Sequence, residues 1–126
     1  MDIIKIAEYN QESAWRVLED TKIIQAWENI GATVNIIGSL KSDLMMKSRD
    51  IDLHIYSEKL DISKSFAVVQ NLAEKLSLKE IFYENGIETE EECIEWHVIY
   101  EDKDMNTWKF DMIQIRRGSK YRKFQY

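Results

Sequence analysis

Proline is absent from all 126 residues, and cysteine occurs once, at Cys93. A single thiol excludes an internal disulfide, and with it the stapled scaffolds of small secreted proteins; it also excludes a cluster of thiolate metal ligands. Only four glycines are present, and there is no Gly/Ser linker, repeat or low-complexity run. The expectation is one domain over residues 1–126. No apolar run approaches the roughly 18 residues of a membrane-spanning helix. The start, Met1-Asp2-Ile3-Ile4-Lys5, lacks the basic region and apolar core of a secretory signal. A cytoplasmic location is the default that these absences leave.

What is present is an ordinary globular mixture, 44% apolar and 32% charged, in a chain long enough for a continuous core. The net charge of −6 is unevenly spread. Arg116, Arg117, Lys120, Arg122 and Lys123 close the chain with no acid among them, so the other 12 Lys and Arg face 23 Asp and Glu. A body that acidic is a poor general binder of the nucleic-acid backbone, where affinity comes from neutralised phosphates. The basic end reads as a solvated terminus, with a phosphate contact as the alternative.

Residues 11–30 contain Ala14, Val17, Leu18, Ile24 and Trp27 without Gly or Pro, which predicts a helix stopped by Gly31. Residues 33–37 are short, β-branched and bounded by glycines, and read as a buried strand. A short helix is expected after Gly38-Ser39, ending near Lys47. Residues 50–57 alternate, with Ile51, Leu53 and Ile55 on one face and Asp50, Asp52, His54 and Tyr56 on the other, predicting a half-exposed strand. Ile62, Phe66, Val69, Ala73 and Leu76 recur in steps of four and three, the signature of an amphipathic helix. Strands are expected over residues 79–84, 93–101 and 107–115. The order α-β-α-β-α-β-β-β implies an α/β (α+β) fold, a mixed β-sheet with helices packed against it.

Two carboxylates one residue apart on a strand, Asp50 and Asp52, point to the same side. Like charges held close favour ionisation when a cation lies between them, and magnesium takes oxygen ligands of this kind. Gly38-Ser39 offers close backbone approach and N–H groups able to meet an anion. Singly, the first pair reads as a solvated strand edge and the second as a turn with Ser39 as a helix cap. Together, a metal-ligand pair and a phosphate cradle at one sheet edge point to phosphoryl or nucleotidyl transfer. His54, on the aspartate face, reads as a satisfied strand histidine, with a bond to a carboxylate or substrate as the alternative; His97 shares a strand with Trp96 and has no metal-ligand spacing. Trp96, Tyr100, Trp108 and Phe110 read as core packing rather than base-stacking groups. Lys41, Arg49 and Lys109 are either phosphate contacts or surface charges, and Cys93 has no evident activating partner.

The stretch from Ile37-Gly38-Ser39 through Arg49-Asp50-Ile51-Asp52-Leu53 resembles the signature of the DNA polymerase β-like nucleotidyltransferase superfamily, in its small bacterial-type core form. That signature is an apolar residue, Gly-Ser, a spacer, then Asp-x-Asp on a strand; here the spacer is ten residues. The resemblance spans residues 12–115 and implies a third carboxylate on a later strand beside the Asp-x-Asp strand, for which Asp111 is the candidate. It further implies that Asp50, Asp52 and Asp111 ligate two magnesium ions, while Gly38 and Ser39 hold the β- and γ-phosphates of a nucleoside triphosphate. A nucleoside monophosphate would then pass to a hydroxyl acceptor with release of pyrophosphate. The acidic body points to a small-molecule or protein acceptor rather than a long polynucleotide. Two departures support an alternative. Ser42 and Asp43 stand where many members carry a glycine, and the chain stops at Tyr126, fifteen residues past Asp111, with no separate acceptor-binding domain. The alternative is a catalytically weak or inactive module of this fold, binding nucleotide or a partner protein. A partner chain or a second copy would supply the missing half.

Overall fold

The carboxylate of Asp2 accepts the Lys5 N–H at 2.9 Å and caps a helix that begins at Ile3, not at residue 11. In this computed structural model, which describes residues 2–41 and 48–119 apart from the side chains of Ser39 and Lys41, that helix is α1 (Ile3–Thr21). Lys22 adopts a left-handed φ of 56° and breaks the long helix expected from the sequence, so α2 (Ile23–Glu28) is a separate segment. Gly31, at φ 90°, ends the helical stretch as anticipated. There follow β1 (Thr33–Ile37), α3 (Gly38–Lys41), β2 (Asp50–Ser57), α4 (Ile62–Lys75), β3 (Leu78–Gly86), β4 (Cys93–Glu101) and β5 (Thr107–Arg116). No described helix is long and apolar enough to cross a membrane.

The strands form one mixed sheet in the order β1-β2-β5-β4-β3. Only β2 and β5 run parallel; the other neighbours are antiparallel. One face of the sheet is apolar. Ile51, Leu53 and Ile55 of β2, Trp108, Phe110 and Met112 of β5, and Ile94, Trp96 and Val98 of β4 are buried there with Val17, Leu18, Trp27, Val68 and Leu72 of the helices. Each such side chain contributes about 1.5–3 kcal/mol by leaving water. Trp96, Trp108, Phe110 and the half-buried Tyr100 are thus core residues, as their alternation implied.

Three expectations are corrected. The strand 33–37 is not buried: β1 is an edge strand with Thr33 and Asn35 exposed, because β-branched composition reports strand formation and not how many neighbours a strand has. The buried face of α4 is Ser65, Val68, Val69 and Leu72, rotated from the expected stripe. Its cause is polar: the buried Trp96 indole needs an acceptor, and Ser65 Oγ takes its N–H at 2.8 Å. Phe66, 44% exposed, lies over the rim of the sheet, its ring 4.6 Å from Tyr83 and 4.8 Å from Trp96. His54, assigned to a half-exposed face, is buried, and that burial lowers its pKa.

Candidate functional site

The second face of the sheet carries the polar alternation of its central strands. Parallel pairing of β2 with β5 sets Asp52 directly opposite Asp111, and Asp50 opposite Lys109. Residues paired across a sheet project to the same side. Antiparallel pairing of β1 with β2 ends at Ile37 opposite Asp52, so the chain leaves β1 beside that carboxylate. Gly38 follows at φ 78°, a conformation that side chains rarely tolerate. A Cβ built on it would lie 2.6 Å from Asp52 Oδ2. The structure therefore brings Gly38, Asp52 and Asp111 together, contributed by three separate segments of chain.

Asp50 stands exposed next to this group, its Oδ2 accepting the Ser48 hydroxyl at 2.9 Å. Ser39 continues the backbone from Gly38 into α3, and its side chain lies outside the described residues, as do Ser42 and Asp43. Burial, followed by the hydrogen bond and charge of Asp111 and then the charge of Asp50, raises the pKa of Asp52 from 3.8 to about 6; Lys109 partly offsets this. Without a cation, protonation of Asp52 relieves the repulsion. The donor set is all oxygen and anionic and lies beside a glycine with no side chain, which fits magnesium.

Asp111 has two further partners. Its Oδ1 is hydrogen-bonded to His97 Nδ1, and Lys109 Nζ lies 3.6 Å from the same oxygen. His97 Nε2 is in turn 3.5 Å from Glu95 Oε1. A carboxylate oxygen accepts, so the ring nitrogen that meets Asp111 acts as the donor. Register explains the arrangement: β4 sets His97 opposite Asp111, and β3 sets Phe82 opposite His97, with ring centroids 5.6 Å apart. Sequence reasoning passed over His97 and Glu95 because their link to Asp111 is made across strands. The signal available was the alternation of Cys93, Glu95 and His97 against Ile94, Trp96 and Val98. Ligand atoms of Glu91, Cys93 and Glu95 also lie within 4.8 Å of one another.

Other candidates fall elsewhere. His54 sits on the aspartate face of β2, its Nδ1 3.4 Å from the Tyr56 hydroxyl. Of the three possible phosphate contacts, Lys109 reaches the carboxylates, Arg49 acts electrostatically on Asp102, and the Lys41 side chain is outside the described residues. Arg116 pairs with Glu92 at 2.7 Å, and Arg117 with Glu58 at 2.9 Å and Thr33 Oγ1 at 2.6 Å, so both are engaged away from the site. Lys120, Arg122 and Lys123 lie outside the described residues. A cleft of about 370 Å³ between α1 and the turn after β4, lined by Tyr9, Arg16, Asp20, Tyr100 and Asp102 among others, shares no residue with the carboxylate group.

No family model matches this sequence. No curated protein is significantly similar to it in sequence. Among solved structures the chain is similar to a noncanonical poly(A) polymerase in complex, GLD-2 with GLD-3, at a TM-score of 0.59 and 14% identity, over 91% of this chain and 41% of that one. That likeness is one of fold, a nucleotidyltransferase fold of mixed sheet and packed helices. The chain spans about two fifths of the length of the solved neighbour.

Proposed function

We propose that the protein is a magnesium-dependent nucleotidyltransferase that moves a nucleoside monophosphate from a nucleoside triphosphate to a hydroxyl acceptor. One observation carries this reading: Asp52 and Asp111 stand in register on adjacent parallel strands, with a glycine where any side chain would strike Asp52. Asp50, Asp52 and Asp111 are the residues that would hold two magnesium ions. When bound, the ions supply charge neutralisation of the triphosphate and a clamp on the entering and leaving oxygens. Gly38 allows the backbone to approach the Asp52 carboxylate closely, and the backbone of Ser39 adjoins it. The acceptor oxygen forms a bond to the α-phosphorus while the bond to the bridging oxygen breaks. Pyrophosphate departs with that electron pair, and the hydroxyl proton passes to the carboxylate of Asp111. Positioning and charge, rather than covalent catalysis, supply the rate. The acceptor is a small molecule or a protein; although the solved neighbour is a poly(A) polymerase, 23 acids against 17 bases disfavour a long polyanion.

A second reading has its own observation. Asp111 already has His97 and Lys109 as internal partners, which suits a module of this fold that binds nucleotide or a partner protein without turnover. Thermal denaturation with ATP, GTP, CTP and UTP, with and without magnesium, separates the possibilities from the outset. The enzyme reading predicts magnesium-dependent stabilisation by a triphosphate, lost in Asp50→Asn and Asp52→Asn, together with pyrophosphate release once an acceptor is supplied. Binding without any pyrophosphate release favours the module. No binding of any triphosphate at millimolar concentration overturns nucleotide recognition altogether.

A further inference from the structure

We propose that His97, braced by Glu95, is a positioning residue that fixes the orientation of Asp111, the third carboxylate of the site. The inference rests on the nucleotidyltransferase reading and adds two residues to it. The terminal torsion of an aspartate is broad and two-fold, so a partly exposed Asp111 on a strand has no intrinsic reason to present one oxygen to a ligand. His97 supplies that reason: its Nδ1 engages Oδ1, the oxygen that Lys109 also approaches, on a residue that the parallel pairing sets opposite Asp52. The imidazole is itself held at three points. Its Nε2 faces Glu95 Oε1 at 3.5 Å, its ring lies against Phe82, and its backbone is fixed by pairing with Asp111 across β4 and β5.

Lys109 does not do the same work. Its ammonium is 3.6 Å from Asp111 Oδ1 on a flexible stem 48% exposed, whereas the Glu95 side chain that braces the imidazole is only 11% exposed. A mobile point charge compensates a carboxylate without orienting it. Partners of this kind behind a metal-ligating carboxylate are worth about 10–100-fold in metal affinity. The competing explanation, that His97 merely neutralises Asp111, predicts the opposite sign. A neutralising partner competes with the ion, so its removal would tighten metal binding.

The test is Mn²⁺ titration of the full chain followed by EPR of the free ion, with thermal melts on every variant. His97→Ala should weaken Mn²⁺ binding by about 10-fold or more. His97→Asn carries an N–H where Nδ1 stood and should recover most of that loss, while His97→Gln mimics only Nε2 and should not. Glu95→Gln should weaken binding less than His97→Ala. Tighter or unchanged binding in His97→Ala, with Asp52→Asn and Asp111→Asn both losing Mn²⁺, overturns the role of His97 and leaves the three-carboxylate site standing. Unchanged binding in Asp52→Asn and Asp111→Asn overturns that site and this inference with it. If His97→Ala fails to melt cooperatively, the Asn and Gln variants decide: equal affinities overturn the proposal.

Discussion

At the scale of single residues, the site is built on one contact between a backbone without a side chain and a carboxylate that resists ionisation. Gly38→Ala would set a methyl 2.6 Å from Asp52 Oδ2 and force φ 78° on a residue with a Cβ. The left-handed conformation alone costs about 1–2 kcal/mol, and Asp52 must also move. Gly31 is the control, since at φ 90° an added Cβ meets nothing within 4 Å. Gly31→Ala should therefore show the backbone cost alone, and Gly38→Ala a larger drop in melting temperature with loss of magnesium-dependent stabilisation by nucleotide. Equal losses in the two variants would refute a special approach at Gly38. Asp52 makes a second prediction. Its pKa of about 6 in the folded chain lies above the ordinary 3.8, so the folded state keeps a proton that the unfolded state releases between those values. The stability contributed by this group is full below about pH 4 and lost as pH rises through about 6. In metal-free protein, Asp52→Asn should accordingly raise stability near neutral pH by about 1 kcal/mol after allowance for solvent screening, and by little at pH 4. Urea denaturation at the two pH values checks this; a variant less stable than the parent near neutral pH contradicts it.

At the scale of elements, the placing of Asp111 depends on the turn that starts β5. Asp102 Oδ1 accepts the N–H groups of Asp104 and Asn106, each at 2.9 Å, and Oδ2 accepts the buried Trp108 indole at 2.9 Å. Burial opposes ionisation of Asp102, but these donors outweigh it and hold its pKa below the ordinary value. Asp102→Ala strands the indole N–H and frees the turn, and should cost about 2–4 kcal/mol in urea denaturation. The stability this group contributes is present above about pH 4 and disappears as pH falls through its depressed pKa. An unchanged urea midpoint would show that the turn does not hold β5. The elements themselves were legible where periodicity was strict: the alternation of β2 assigned both its faces, and the alternation of β4 and β5 marked their aromatic core. What escaped was whatever depends on partners distant in sequence. The first turns of α1 were missed because Ile3, Ile4 and Ile6 are exposed and form no stripe with the core. The face of α4 is set by an indole on β4, and the link from His97 to Asp111 by cross-strand register. Asp111 itself could be named only through the family resemblance, because nothing local to β5 says that it adjoins β2.

At the scale of the whole molecule, charge bears on which acceptor the proposed reaction would use. Binding to a polynucleotide draws on phosphates neutralised by Lys and Arg, and each engaged cation adds to the salt dependence. This chain has a net charge of −6, and Arg116 and Arg117 are held by Glu92, Glu58 and Thr33. The carboxylates at the candidate site add a local field of the same sign as a phosphate backbone. Magnesium would offset that field for a compact triphosphate at the site, but not along an extended strand crossing the rest of the surface. Fluorescence anisotropy with a labelled single-stranded oligonucleotide, in magnesium and about 150 mM salt, should thus give a dissociation constant no tighter than the weak end of non-specific binding, about 10⁻⁴ M. Its salt dependence should be shallow, because few counterions are released. Submicromolar binding that weakens steeply with salt would mean that a basic surface engages the strand, and would replace the proposed small-molecule or protein acceptor with a polynucleotide.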